Sequence, residues 1–196
     1  MDRMFDRLAA HFAGLEDSLN TLDAQAGDGD HGTTILRGLR AAAAAEAEGA
    51  AEAAAEAAAE AAAEPERDPV AAFRRAAGGA SGSLFAQVLV AAQAIATGAE
   101  PGPALAYAAR RIAMLGQARA GDRTMLDALL PAAQAADLGA AAEAARGGAA
   151  ATAGMSARRG RARYVEGAGL GHVDAGARSV AEILSLLEAL GTEAIP

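Results

Sequence analysis

From Met4 to Leu22 the large apolar residues Met4, Phe5, Leu8, Phe12, Leu15, Leu19 and Leu22 recur at spacings of three and four, which predicts one helix with a single apolar stripe. Val180, Ile183, Leu184, Leu187 and Leu190 repeat the pattern near the other end of the chain. Alanine dominates what lies between. Apolar residues make up 53% of the chain, aromatics only 3%, and there is no Trp. Alanine is the best helix former, and the strand-favouring Val and Ile are scarce. An all-α protein packed through small side chains follows, and 196 residues suffice for a single domain, 1–196, with its own core.

Composition excludes several functions. Cysteine is absent, which removes disulfides and thiolate chemistry. The formal net charge of −8 argues against nucleic acid as a partner. All 17 cationic side chains are Arg, so neither a P-loop lysine nor a Schiff base is available. Phosphate, if handled, falls to metal, backbone N–H groups and Arg. The N-terminus alternates charges where a signal peptide needs a basic and then an apolar region, so the expected location is cytoplasmic. The Ala-rich segment carries a Glu at every fourth position, and no membrane span is expected.

Along the chain, Thr33 or Thr34 is expected to cap a second helix carrying Ile35, Leu36 and Leu39. The Ala/Glu-rich segment, 41–66, places Glu48, Glu52, Glu56, Glu60 and Glu64 four apart, a pattern that reads as a solvated face in preference to an acidic docking surface. Gly49 is expected to interrupt it, and Pro65 with Asp68-Pro69 to close it. A helix over Val70–Ala77 leads to the Gly-rich turn 78–83 at the start of another helix with Leu84, Phe85, Val88, Leu89 and Ile95. Thr97–Pro103 reads as a loop, Leu105–Ala118 as a helix, Asp122 as an N-cap and Pro131 as a helix breaker. A helix over Leu138–Ala151 precedes the basic stretch with Arg158, Arg159, Arg161 and Arg163. The glycine-rich loop Gly167–Gly176 then leads into the last helix.

Chemistry concentrates between Asp23 and Thr34. Asp23, Asp28 and Asp30 share this stretch with three glycines, a histidine and two hydroxyls. Carboxylates brought so close need protonation or a cation, and hard oxygen ligands favour Mg²⁺, with Ca²⁺ and Mn²⁺ as alternatives. The turn at Gly78–Gly82 offers helix N-terminal amides to an anion, although such turns more often only reverse the chain. His172 is weighed as a structural histidine ahead of a ligand. In an up-and-down bundle alternate loops gather at one end, which would bring the acids, the glycine turns and the Arg cluster to one rim.

In order, the motifs are Asp23-x4-Asp28-x-Asp30-His31-Gly32, Gly78-Gly79-Ala80-Ser81-Gly82, Gly121-Asp122-Arg123-Thr124-Met125, Gly160-Arg161-Ala162-x-Tyr164 and Gly171-His172-x-Asp174-x-Gly176-Ala177. Together they resemble the L subunit of dihydroxyacetone kinase, its nucleotide-binding half. The resemblance implies a barrel of about eight antiparallel helices with the nucleotide site on the loop rim at one end. It implies a kinase subunit that binds ADP or ATP and a pair of Mg²⁺ ions on Asp23, Asp28 and Asp30, with those acids and Arg161 carrying the catalysis. His31, Gly32, Thr33, Thr34, Ala80 and Ser81 would lie along the nucleotide. Gly116 and Met125 would sit by the adenine, Arg161 by the phosphates, and Asp174, Ala175 and Gly176 in the closing loop. Ser83 stands where proline is common, and Ala175 where the last loop usually has Asp-Pro-Gly.

The implied partner is a separate K subunit that holds dihydroxyacetone or a similar ketose, in a homodimer or hetero-oligomer. The implied phosphate source is exchangeable ATP, or alternatively a phosphohistidine protein of the sugar phosphotransferase system acting on bound ADP. A nucleotide-sensing regulatory subunit and a structural helical protein with a cation-binding loop are the competing readings.

Overall fold

The computed structural model describes residues 3–56 and 68–193, which contain α-helices and short 3-10 turns and no strand. The helices are α1 (Met4–Ala13), α2 (Glu16–Ala24), α3 (His31–Glu56), α4 (Pro69–Ala77), α5 (Gly79–Ala96), α6 (Pro101–Gly116), α7 (Leu126–Ala132), α8 (Leu138–Ala151) and α9 (Ala175–Glu193). From α3 onward each helix packs on the next. The ring closes because α9 returns to α1 and α2, which both also pack on α3. Since α1 and α2 share one position, the described helices occupy eight places around the barrel.

Four phenylalanines, Phe5, Phe12, Phe73 and Phe85, are fully buried, each contributing about 1.5–3 kcal/mol by leaving water. Phe85 lies 5.8 Å from Phe73 and meets the His31 ring edge-on at 6.3 Å. Elsewhere small residues set the helix separation. Ala141, Ala142 and Ala145 of α8 are buried, and a Cβ on Gly148 would come within 2.2 Å of the Asp127 carbonyl oxygen. The α7–α8 pair is therefore packed backbone against helix face, at a distance only glycine allows.

Several expectations need correction. The stripe from Met4 to Leu22 belongs to two helices, because the chain leaves α-helix at Gly14-Leu15. Glycine is the weakest helix former after proline, and the Gly14 and Leu15 N–H groups close the first segment on the His11 and Phe12 carbonyls, each at 3.1 Å. Neither Thr33 nor Thr34 caps α3, which starts at His31, with the Asp30 carbonyl taking the Thr34 N–H at 2.8 Å. Gly49 does not interrupt α3, since the alanines around it supply enough helix propensity. The expected closure at Pro65, with Glu60 and Glu64, lies outside the described residues.

The Thr97–Pro103 loop is shorter than expected because Pro101 starts α6, a position where its missing N–H costs nothing. Asp122 is not a helix cap. Thr124 Oγ1 instead accepts from the Leu126 N–H, and Asp127 accepts from Thr124 N–H at 2.8 Å. Pro131 falls one residue before the end of α7, as expected of a breaker. The Leu138–Ala151 helix agrees at both ends, with Asp137 capping Ala140 N–H at 2.8 Å. The last helix starts inside the expected Gly167–Gly176 loop, at Ala175. The stretch Gly79–Ala96 is long and apolar enough to cross a membrane, which the reading of the Ala-rich segment overlooked. Here its Phe85, Val88 and Leu89 are spent on the barrel core.

Candidate functional site

The connections after α2, α4, α6 and α8 meet at one end of the barrel and wall a cavity of about 540 Å³. Ten of the residues singled out from the sequence line it. Asp23 and His31 come from the first connection, Ala80 and Ser81 from the start of α5, and Gly116 and Met125 from the ends of the third. Arg161, Asp174, Ala175 and Gly176 come from the last. Gly32, Thr33 and Thr34 are in the first turn of α3 and are not part of this wall. Thr33 Oγ1 donates to Glu16 at 2.8 Å and its N–H donates to Asn20 at 3.1 Å, both on α2. Gly32 is buried so closely on α2 that a Cβ would lie 2.2 Å from the Glu16 carbonyl oxygen. Thr34 accepts from Arg37 at 3.4 Å.

At the rim, one carboxylate oxygen from each of Asp23, Asp28 and Asp30 lies within 4.8 Å of the other two. Glycines make this possible. Gly29 takes φ +76°, and a Cβ on Gly27 would strike the Asp23 carboxylate at 2.4 Å. The N–H groups of Gly29 and Asp30 donate to Asp23 Oδ2 at 2.8 and 3.2 Å, presetting that side chain. Arg161 pairs with Asp28 across the cavity mouth. Burial works against ionisation of Asp28, but Arg161 together with a backbone N–H and Asp30 outweighs it and holds the carboxyl below its ordinary pKa. Burial, and then the charge of Asp28, push Asp30 the other way. Three hard oxygen donors with mutual repulsion and partial exposure fit a divalent cation.

Around the acids the site is prepared for an anion. Gly78 and Gly79 both have positive φ, and α5 starts without any side-chain cap, so first-turn amides face the cavity beside Ala80 and Ser81. Arg37 fixes this junction from behind by donating to the Ala76 and Ala77 carbonyls at 2.9 and 3.1 Å. Burial lowers the pKa of His31, partly offset by Asp23. Its Nε2 lies 2.9 Å from Ser179 Oγ. Asp174 caps α9 by accepting the Ala177 N–H at 2.8 Å. Burial raises its pKa to about 6, against the opposing pull of that N–H and of Arg123.

Arg123 was quoted only within a motif, yet it is 3% exposed, lines the cavity and adopts φ +59°. Its Nε is buried with no hydrogen-bond partner among the described residues. Arg159 and Thr124 also line the cavity, as do Leu22, Leu84, Ile112 and Leu115, which provide its apolar side. The leucines and Ile112 sit at ordinary helical spacing, so nothing local separates them from core residues. His172 is exposed, and its use in the fold is through its backbone, the carbonyl accepting from Arg123 at 2.9 Å.

A family model described as the DAK2 domain matches residues 25–189. The chain belongs to the DAK2 domain family. Among its relatives, it is 37% identical over 188 residues to the dihydroxyacetone kinase of Citrobacter freundii, covering 92% of this chain and 33% of that protein. It is 36% identical over 197 residues to a D-erythrulose kinase of Mycolicibacterium smegmatis, with 91% and 33% covered. It is also 33% identical over 211 residues to the triokinase/FMN cyclase of Rattus norvegicus, with 99% and 35% covered. The crystal structure of the C. freundii kinase in complex with AMP-PNP and Mg²⁺ matches the fold with a TM-score of 0.65 at 29% identity, over 95% of this chain and 33% of that one. This DAK2 chain thus spans about a third of the length of these relatives.

Proposed function

We propose that this chain is the nucleotide-binding subunit of a dihydroxyacetone or short-ketose kinase, with ADP or ATP in the rim cavity and a pair of Mg²⁺ ions on Asp23, Asp28 and Asp30. One observation carries this reading: three carboxylates lie within 4.8 Å of one another at the rim, and Asp23 among them lines a cavity that Ala80 and Ser81 of an uncapped, glycine-led helix N-terminus also line. The related C. freundii structure was solved with AMP-PNP and Mg²⁺, which supports the same ligand class here. The relatives' kinase names support the reaction class.

When bound, the metal supplies charge neutralisation along the phosphate chain. Asp23 is held ready for it by the Gly29 and Asp30 amides. The first-turn amides of α5 receive phosphate oxygens beside Ala80 and Ser81. Gly116 and Met125, with Leu84 and Leu115, flank the base. Arg161 moves from Asp28 to the phosphates and meets the charge that spreads over the transferred group. Asp174 to Gly176 close the site. Gly32 and Thr33 support the acidic loop through α2, and Thr34 steadies Arg37. This chain supplies no nucleophile; the attacking hydroxyl belongs to a ketose held by a K subunit.

The test combines the chain with a K subunit, Mg²⁺, dihydroxyacetone and either ATP or a phosphohistidine donor. Phosphorylated product that disappears with Asp28→Asn is the expected result. No product from either donor overturns the kinase reading, and unchanged turnover in Asp28→Asn overturns the metal assignment. Retention of ADP through dialysis identifies the phosphohistidine route, and its rapid loss identifies exchangeable ATP.

A further inference from the structure

Arg161 is carried on the connection between α8 and α9, most of which is exposed from Gly160 to Gly167. Gly160, Gly167, Gly169 and Gly171 all have positive φ, so the backbone here is shaped by glycine and little else. Both ends of this strap are nevertheless gripped by two adjacent residues of the α6–α7 connection. At the near end Asp122, 1% exposed, accepts the Arg158 N–H on its carbonyl at 3.0 Å and Arg159 Nε on its carboxylate at 3.3 Å. At the far end Arg123, 3% exposed, donates to the His172 carbonyl at 2.9 Å and faces Asp174 at 3.8 Å. Gly169 lies flat on the guanidinium, where a Cβ would be 2.4 Å from Arg123 Cζ.

The far end has further ties to the 3-10 turn Thr152–Gly154 that follows α8, from Gly171 N–H to the Ala153 carbonyl and from Asp174 N–H to Thr152 Oγ1, both at 2.8 Å. Those ties hold the strap to its own side of the barrel. Asp122 and Arg123 hold it to the neighbouring connection, where the cavity wall continues through Thr124 and Met125. Buried charged groups are costly unless paired, and here one acid and one base are spent side by side on the two ends of one loop.

We propose that Asp122 and Arg123 are positioning residues that clamp the two ends of the 158–174 strap, so that Arg161 is delivered over the acidic cluster and onto the phosphates of a bound nucleoside di- or triphosphate. This rests on the nucleotide reading above. The clamp touches neither metal nor phosphate and acts through Arg161. A strap released at one end spends only part of its time in the competent position, and apparent affinity falls by that fraction.

Because the chain has no cysteine, a nitroxide on Glu166→Cys reports the strap alone. In the labelled parent the spectrum is expected to be immobilised without any ligand, and Asp122→Asn or Arg123→Gln to make it mobile. Affinity for a fluorescent ADP analogue with Mg²⁺ should fall about tenfold in Arg123→Gln. In an Arg161→Gln background the same substitution should cost less than twofold, because the residue through which the clamp acts is gone. Mn²⁺ binding without nucleotide should not weaken in Arg123→Gln. Gly169→Ala, which displaces the guanidinium from the other side, should reproduce the mobility and the affinity loss, and it carries the test if Arg123→Gln does not fold. An immobile label in both far-end variants, or an affinity loss that is equally large in the Arg161→Gln background, overturns the clamp. If the parent binds no nucleotide, the functional reading fails, and the nitroxide result still decides whether these residues hold the strap.

Discussion

Replacing Arg161 by glutamine should move metal binding in opposite directions according to whether nucleotide is present. Without nucleotide the guanidinium occupies Asp28, so it competes with a cation for one of three carboxylates. The pair is exposed, with 65% of the arginine and 43% of the aspartate side chain accessible; ion pairs of this kind are worth about 0.2–1 kcal/mol. Removing the competitor should therefore tighten metal-only binding roughly 1.5- to fivefold, at about 1.4 kcal/mol per factor of ten. In the proposed function the same arginine serves the phosphates of bound ADP, and losing a charge-assisted hydrogen bond worth about 1.5–3 kcal/mol should weaken the metal–nucleotide complex roughly ten- to a hundredfold. Titration with Mn²⁺, reading free ion by electron paramagnetic resonance with and without ADP, measures both. The metal-only gain should shrink between low and physiological salt, as the screening length falls from about 30 to 8 Å. A variant that binds Mn²⁺ alone more weakly than the parent, or that binds Mn²⁺–ADP equally well, refutes the reasoning.

Other expectations are simpler. In the parent, Mn²⁺ affinity should rise sharply when ADP is added, and equal affinity with and without it would contradict a shared site. Gly148→Ala would push a Cβ to 2.2 Å from the Asp127 carbonyl and should cost about 1–3 kcal/mol, or roughly 2–10 °C of Tm. Gly147→Ala, one residue along α8 with nothing within 4 Å, should instead stabilise by roughly 0.5–1 kcal/mol; paired thermal melts compare them. Asp174 has a pKa raised from 3.8 to about 6 in the folded state, so the folded chain holds the proton more tightly and stability should fall as pH rises from about 4 to 6. The loss is at most about 2 kcal/mol at 1.36 kcal/mol per pKa unit. Asp174→Asn, which keeps a capping oxygen, should abolish that part of the pH dependence in urea melts, and an unchanged profile would show that Asp174 does not titrate in this range.

The helical class could be read along the chain because helix formation rests on local spacing and local propensity. Stripes such as Val180, Ile183, Leu184 and Leu187 turn one face inward, and they do so here. Boundaries depended on finer competition. Alanine carried α3 through Gly49, whereas Gly14 with its neighbours let the first stripe break. The acidic loop announced itself because three aspartates and three glycines lie close in sequence, and the coordinates bring those carboxylates together. Gly32, Thr33 and Thr34 follow the same loop in sequence, yet Gly32 and Thr33 turn toward α2 and Thr34 meets Arg37, as a helix must send successive side chains around its axis.

Sequence alone therefore determined that this chain is helical, that Asp23, Asp28 and Asp30 crowd one glycine-rich loop, and that five ordered motifs resemble one kinase subunit. Tertiary structure decided which groups share the cavity. Arg161 meets Asp28 across 133 residues of chain, and Arg123 reaches His172 across 49. No local rule forecasts either contact, because each joins two connections that only helix packing brings side by side: α9 on α2 for Arg161 and Asp28, and α7 on α8 and α9 for Arg123 and His172. The burial of Asp122 and Arg123 follows from the α8–α9 connection lying over them. Isolated in sequence they are two charged loop residues, and in the folded chain they hold the arginine that faces the acids.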